Sequence, residues 1–129
     1  MKHLPKINLS VIPHKKHRYE TVGDYYPKGK EWFFEVSKMN SDYEALVFLH
    51  EFVEFYLTQK RGIGERDITL FDEKFEDERS AGKWTTEEPG HDPRAPYRNE
   101  HIFAEQLERL FAQEMGIDWD RYSSDIDLL

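Results

Sequence analysis

The stretch Leu49-His50-Glu51-Phe52-Val53-Glu54 decides the fold of this chain, because it sets three ionisable side chains into an otherwise apolar segment. At about 100° per residue of an α-helix, the surrounding apolar side chains fall on two flanks and leave a single polar quadrant. If both flanks are buried, an uncompensated charge in that quadrant costs several kcal/mol. The stretch therefore predicts a buried helix whose polar side chains need a cation, a proton or a partner from elsewhere in the fold.

This helix is expected to span residues 42–60. Ser41, followed three residues later by Glu44, is a capping-box pattern that marks a helix start. Gly62 and Gly64 then end the helix.

Before the helix, three stretches have the apolar alternation or β-branched and aromatic content of strands: residues 7–11, 18–22 and 32–36. Gly23 and Asp24 follow the second stretch and read as a turn. We expect these strands to form a small antiparallel sheet.

After the helix, a shorter helix is expected to follow Asp67, and a second main helix is expected to run from Pro96 or Tyr97 to Met115. The second main helix has an apolar face formed by Phe103, Leu107, Leu110, Phe111 and Met115. The predicted fold class is α+β, with a small antiparallel sheet of about three strands followed by two main helices and a shorter one.

The chain is predicted to be one domain covering residues 1–129. A strand-rich basic part covers 1–37, a helical part covers 41–116 with an irregular loop at 80–97, and a tail covers 117–129, where Trp119 and Tyr122 can dock while residues 123–129 fray. Residues 1–30 carry a formal charge of +5 and residues 31–129 carry −13. We favour a basic sheet covering an acidic helical layer over a basic surface for an anionic partner.

Composition excludes several function classes. The net charge of −8 argues against binding to nucleic acid backbones, and the absence of cysteine excludes a cysteine-zinc site. No apolar run approaches the ~20 residues of a membrane span, and the amino terminus has no hydrophobic signal segment. We therefore expect a cytoplasmic protein without a membrane partner, which acts on a small molecule or a peptide if it is an enzyme; its oligomeric state stays open.

The second main helix repeats the polar pattern of the first. His101 and Glu105 are one helical turn apart, as His50 and Glu54 are, and all four lie at the border of an apolar face. If the two helices pack side by side, His50, Glu54 and His101 can supply three ligands of a divalent metal, and Glu105 or a water can complete the shell. Glu51 would then remain free as a base.

The segment from His50 to Glu54 resembles the His-Glu-x-x-His helix of zincin-like metallopeptidases, with Glu54 in place of the second histidine. The resemblance covers roughly residues 30–60 and, loosely, 97–116. It implies a zincin-like fold in which His50 and Glu54 bind a divalent metal, most often zinc, and Glu51 takes a proton from water. The implied activity is metal-dependent hydrolysis of an amide or related acyl bond. His101 as third ligand, with Glu105 as its substitute, follows from the helical spacing alone.

The loop at 80–97 supplies the remaining candidates. His91 could reach the site as a loop ligand or a catalytic donor, or it could simply cap a turn. Arg94, Tyr97 and Arg98 could bind an anionic substrate group or an oxyanion, or they could form ordinary ion pairs. His14 and His17, which lie among basic residues, are interpreted as part of a solvated basic turn.

Two other functions remain open. A buried His/Glu network without metal, or with a metal of structural value only, would suit an interaction module such as an adaptor, a mobile-element accessory protein or a zincin-like pseudoenzyme. The pairs Glu51-x-x-Glu54 and Glu105-x-x-Glu108 also resemble the paired motifs of all-α nucleotide pyrophosphohydrolases, which hold magnesium. We rank that function lower, because the chain has predicted strands and because imidazole is a poor ligand for magnesium.

Overall fold

The structure, a computed structural model, describes residues 2–82 and 88–129. The described residues form three strands followed by four helices, so the α+β class is confirmed. The strands are β1 (Ile7–Ile12), β2 (Gly23–Lys28) and β3 (Glu31–Ser37), and the helices are α1 (Ser41–Lys60), α2 (Glu65–Ser80), α3 (Arg98–Glu114) and α4 (Trp119–Asp127).

The sheet is mixed, and the expectation of an antiparallel sheet is wrong. β3 lies in the centre, with β2 antiparallel on one side and β1 parallel on the other. β2 and β3 form a hairpin around Gly29, whose φ of +65° is a conformation that glycine adopts without strain. The pattern of apolar and polar residues within a strand carries no information about the direction of its neighbour, and for this reason the sequence could not reveal the parallel pair.

The second strand begins five residues later than expected. Residues 18–22 form no strand, and the predicted turn at Gly23 and Asp24 is the start of β2. The Thr21 hydroxyl donates to the Gly23 carbonyl over 2.7 Å, a local hydrogen bond of the kind that competes with strand pairing. Pro27 is tolerated within β2 because β2 is an edge strand.

Helix α1 has the predicted extent, but its cap lies one residue earlier than expected. Asn40 is the N-cap, and its side-chain oxygen accepts a hydrogen bond from the Tyr43 amide at 2.9 Å. Glu44 reaches back to the amide of Met39 at 2.7 Å. The predicted pairing of Ser41 with Glu44 is therefore wrong: Asn40 is the cap, and Glu44 accepts a hydrogen bond from the residue before the cap.

Helix α3 buries a different face from the one predicted. Leu110 is 62% exposed, Phe103 45% and Phe111 37%, so the expected apolar core face is wrong. The buried residues of α3 are instead small or polar: Glu100, His101, Ala104, Glu108 and Ala112. The small alanines let α3 approach α1 closely, and the polar side chains meet their partners in that interface.

The carboxy-terminal segment, which was expected to be a docked tail, forms a helix. It forms α4, capped by Asp118, and Tyr122 is 1% exposed against Val36 and Leu46 of the core. The helix continues to Asp127, past the point where fraying was expected. Docking through Tyr122 is therefore confirmed, and α4 is a fourth helix that the sequence pattern did not predict.

The loop expected at 80–97 is only partly described. Its residues 88–97 contain a 3-10 turn at Pro89–His91 that leads into α3, while residues 83–87 lie outside the described part. Among the described helices, none combines the length and apolar character needed to cross a membrane.

Candidate metal centre

Three donor atoms from α1 and α3 surround a single point. His50 Nε2 lies 3.2 Å from Glu54 Oε2 and 3.1 Å from His101 Nδ1, and the last two atoms are 2.9 Å apart. Zinc bonds of ~2.0–2.1 Å in a tetrahedron place neighbouring ligand atoms roughly 3.3 Å apart. The three residues, which we call the inner triad, therefore form a group that could hold a metal ion.

The helical spacing explains how the inner triad is assembled. His50 and Glu54 are one turn apart on α1, so their side chains lie one above the other on the face that meets α3. His101 lies in the first turn of α3 and completes the triad from across the interface. All three side chains are buried, with exposures of 8% for His50, 5% for Glu54 and 8% for His101.

Further polar side chains hold the inner triad in place. The Tyr25 hydroxyl donates to Glu54 Oε1 at 2.9 Å. Glu108 Oε1 lies 2.7 Å from His50 Nδ1, and the Tyr122 hydroxyl donates to Glu108 Oε2 at 2.6 Å. The orientation of His50 and Glu54 is thus set by neighbours on β2, α3 and α4.

The pKa values of the inner triad depend on the hydrogen bonds between its members. Burial would raise the pKa of Glu54, but hydrogen bonds from His101 and His50 lower it to about 2. Burial would lower the pKa of His101, but hydrogen bonds to Glu54 and Glu88 raise it to about 9. His50 Nε2 and His101 Nδ1 face each other at 3.1 Å and both lie within hydrogen-bond distance of Glu54 Oε2, so this oxygen can accept a hydrogen bond from each ring or share a cation with both nitrogens.

Glu51 lies beside the inner triad and lines the same cleft. Among the described residues, none forms a hydrogen bond or an ion pair with its carboxylate. A Cβ atom on Gly23 would lie 2.7 Å from Glu51 Oε1, so the bare glycine at the start of β2 makes room for this side chain. Burial, together with the negative charge of Glu54, raises the pKa of Glu51 well above its usual range. Such a carboxylate is a stronger base than an exposed one.

The inner triad and Glu51 line a cleft of about 580 Å³. His91 and Glu105 line the same cleft, and His91 Nε2 lies 3.5 Å from Glu105 Oε1. Glu105 therefore faces His91 rather than the inner triad. The carboxylates of Glu105 and Glu108 have separate partners, His91 and His50, and do not share one position.

The three residues considered for substrate binding are placed differently from one another. Arg94 is held by Asp92 and Glu78, with its Nη2 atom 2.8 Å from Asp92 Oδ2. Tyr97 lines the cleft but is 3% exposed, and its hydroxyl donates to Asp72. Arg98 begins α3 and, like Arg94, is not among the described residues that line the cleft. A substrate role for these residues stays a prediction.

Sequence reasoning missed several supporting residues. Tyr25 lies on β2, the strand placed wrongly. Glu108 was considered as part of a magnesium motif, and it is 7% exposed with its Oε1 atom 2.7 Å from His50 Nδ1. The position of Glu108 on the same side of α3 as His101 was the available signal. The solvated turn expected around His14 and His17 is also wrong, because both rings lie 2.8 Å from the hydroxyl of Ser37, which is fully buried.

Comparison with known proteins found no matching family model, no matching curated protein and no matching solved structure. The chemistry of the site therefore has to be inferred from the geometry of its own residues.

Proposed function

We propose that this protein is a metal-dependent hydrolase in which His50, Glu54 and His101 bind a zinc ion and Glu51 acts as the general base. The observation that carries the proposal is the convergence of three buried donor atoms beside a carboxylate that has no partner among the described residues. The expected substrate contains an amide or related acyl bond.

The donor set suits zinc better than magnesium or calcium. Two imidazole nitrogens and one carboxylate oxygen are ligands that catalytic zinc sites use, with a fourth position left for water or substrate. Magnesium and calcium prefer sites made of oxygen ligands. The contact between His50 Nδ1 and Glu108 also supports the proposal, because metal-binding histidines commonly present their second ring nitrogen to a carboxylate.

The order of elements supports a zincin-like arrangement. The sheet precedes the motif helix α1, and the later helix α3 supplies the third candidate ligand. Glu54 replaces the histidine of the zincin-like motif, and its carboxylate occupies the corresponding position, one turn after His50. Glu51 follows His50 directly and reaches the same cleft.

The residues around the inner triad indicate how hydrolysis would proceed. A bound zinc ion would polarise a carbonyl group and make water more acidic. Glu51 would accept a proton from the attacking water and deliver it to the leaving group, for which its raised pKa is suited. Tyr25 would keep Glu54 oriented, and Glu108 would do the same for His50.

The test begins with protein purified without a histidine tag. We expect about one or more equivalents of zinc by elemental analysis, and loss of the inner ion in His50→Ala combined with His101→Ala. Glu51→Gln should retain zinc and lose hydrolysis of a panel of peptides and N-acyl amino acids monitored by mass spectrometry. Protein that binds no zinc, or that keeps full hydrolysis in Glu51→Gln, would contradict the proposal.

A metal-free interaction module is the second candidate. It is favoured by one observation: every donor atom of the inner triad already has a hydrogen-bond neighbour within the chain. In that case the network would join α1 to α3 as a structural element, and chelators would leave the melting temperature unchanged. A fall in melting temperature on chelation, reversed by zinc, would exclude this candidate.

A further inference from the structure

We infer that a second divalent cation binds at the mouth of the same cleft, held by Glu88, His91 and the Nε2 atom of His101. The inference rests on the proposed function, because the other nitrogen of the same ring, His101 Nδ1, belongs to the inner triad. The ring of His101 would then bridge an inner and an outer metal ion. We call Glu88, His91 and His101 Nε2 the outer group.

The geometry of the outer group meets the requirement for a shared ion. One donor atom from each of its three residues lies within 4.8 Å of the other two. His101 Nε2 is 3.2 Å from Glu88 Oε2. Glu105 Oε1 lies 3.5 Å from His91 Nε2 and can serve as the fourth ligand atom, after one oxygen and two nitrogens. Two imidazoles with one or two carboxylates form a donor set that binds zinc and other transition-metal ions.

The two histidines of the inner triad differ at their second ring nitrogens. His50 Nδ1 contacts Glu108, whose side chain is 10% exposed and whose other oxygen is held by Tyr122. Both oxygens of Glu108 therefore have partners, and this carboxylate holds the His50 ring in its orientation. His101 Nε2 contacts Glu88, whose side chain is 61% exposed, and it also has the ring of His91 nearby. An exposed carboxylate with a second imidazole beside it fits a metal ligand better than a fixed orienting group.

The backbone of the loop is built against His101. A Cβ atom on Gly90 would lie 2.3 to 2.5 Å from ring atoms of His101, so only glycine lets the chain pass this close. Glu88 and His91 flank that glycine within the 3-10 turn and its cap. The rings of His91 and His101 have centroids 5.0 Å apart at an interplanar angle of 72°. The turn thus carries the side chains of Glu88 and His91 to the Nε2 edge of the His101 ring.

The charge of the cleft also favours two cations. Among the described residues, ten side-chain carboxyl groups line it, against four imidazoles and three guanidinium groups, and five of the carboxyl groups belong to Glu51, Glu54, Glu88, Glu105 and Glu108. The nearby guanidinium of Arg18 is already bound to Asp24, at 2.7 Å. One dication offsets two carboxylate charges and a second offsets two more. A His101 ring that binds both ions would release its ring proton to solvent.

The expected spacing limits what the outer ion can do. Two bonds of ~2.0–2.1 Å to opposite nitrogens of one imidazole place the ions roughly 6 Å apart. Co-catalytic pairs that share a substrate oxygen are about 3.5–4 Å apart, so this pair cannot share one. The outer ion would instead pin the turn at Pro89–His91 to α3 and complete the rim of the cleft.

The test is a titration of metal-free protein with zinc alone, measured by calorimetry and by equilibrium dialysis with elemental analysis. We expect two equivalents in the natural protein and one in His91→Ala. Glu88→Gln serves as a second variant, because its exposed side chain makes misfolding a poor explanation for a lost ion. His50→Ala should keep the outer ion, and His3→Ala, an exposed histidine outside the cleft, should still bind two.

The outcomes separate this inference from the proposed function. One equivalent in the natural protein, lost in His50→Ala and kept in both His91→Ala and Glu88→Gln, would overturn the outer site and leave the inner one intact. Two equivalents in both His91→Ala and Glu88→Gln would also overturn it. Loading with cobalt adds a direct signature, since magnetic coupling between two ions through the His101 ring is expected and should disappear in His91→Ala.

Discussion

His50 on α1 and Glu108 on α3 are joined by a contact of 2.7 Å between Nδ1 and Oε1, and this contact ties the interface of the two helices to the candidate metal centre. The second oxygen of Glu108 accepts a hydrogen bond from Tyr122 on α4. The orientation of one candidate ligand therefore depends on a helix that contributes no ligand of its own.

The first prediction concerns this contact. Glu108→Gln keeps the shape of the side chain and removes its charge, so we expect zinc affinity to fall by roughly 10- to 100-fold, as is usual for loss of an orienting partner. Competition with a chromophoric chelator measures the change. Glu114→Gln, at the exposed end of the same helix, is the matched control, and equal affinities in the two variants would disprove the orienting role.

The second prediction concerns the close approach of Gly23 to Glu51. In Gly23→Ala the new methyl group would lie 2.7 Å from Glu51 Oε1 and from a methyl group of Val47. We expect a loss of about 1–3 kcal/mol in the free energy of unfolding, typical of overpacking. Adding Glu51→Ala should recover part of that loss, whereas strictly additive effects in denaturant unfolding would show that the two side chains do not compete for space.

The third prediction concerns an ion pair in the cleft whose carboxylate is buried and whose guanidinium is partly exposed. Arg18 makes two hydrogen bonds to Asp24, at 2.7 and 3.1 Å, and Asp24 is 2% exposed. The Arg18 side chain is 35% exposed, so its loss costs less than the loss of a fully buried partner. Arg18→Ala leaves the buried Asp24 carboxylate without its cation, and we expect a loss of about 1–3 kcal/mol in denaturant unfolding. The double variant Arg18→Met with Asp24→Asn should be more stable than Arg18→Ala, and the reverse order would refute this account.

The fourth prediction concerns pH. Burial raises the pKa of Asp72 from 3.8 to about 7, although hydrogen bonds from Tyr97 and Tyr19 act in the opposite direction. Between these two pH values the folded protein keeps a proton that the unfolded chain has released. The contribution of Asp72 to stability therefore decreases as pH rises from about 4 to about 7, by at most ~1.4 kcal/mol per pH unit, and is constant above that range.

The variant Asp72→Asn isolates this contribution. Its amide can accept a hydrogen bond and donate one, as a protonated carboxyl group does, but it does not titrate. We expect unfolding free energies measured at intervals from pH 4 to pH 8 to decrease less steeply in Asp72→Asn than in the natural protein. Parallel curves for the two proteins would show that Asp72 is already ionised throughout the range.

The fifth prediction tests which face of α3 is buried. Leu110 is 62% exposed, so Leu110→Ser should change stability by no more than about 0.5 kcal/mol. Ala104 is fully buried, so Ala104→Leu should cost about 1–3 kcal/mol through overpacking. If Leu110→Ser lowers the melting temperature more than Ala104→Leu does, the buried face of α3 is the one that the apolar periodicity predicts.

Local features of the chain were predictable from the residues alone. The extent of α1, the strands β1 and β3, and the helical region of α3 follow from spacing and end signals that act over a few residues. The same short-range geometry places His50 and Glu54 on one face of α1, because residues four apart lie one turn above each other. The spacing of His50 and Glu54 in the sequence is therefore enough to predict that these two candidate ligands lie together on α1.

The arrangement of those helices and strands could be seen only in the folded chain. Contacts between segments far apart in the sequence determine the parallel pairing of β1 with β3 and the position of β2. They also determine which face of α3 is buried, and apolar periodicity gave the wrong face. Glu108 approaches His50 across 58 positions, and Tyr25 approaches Glu54 across 29. Spacing could show that the polar quadrant of α1 needs partners, but the packing of α3 and β2 against α1 selects them.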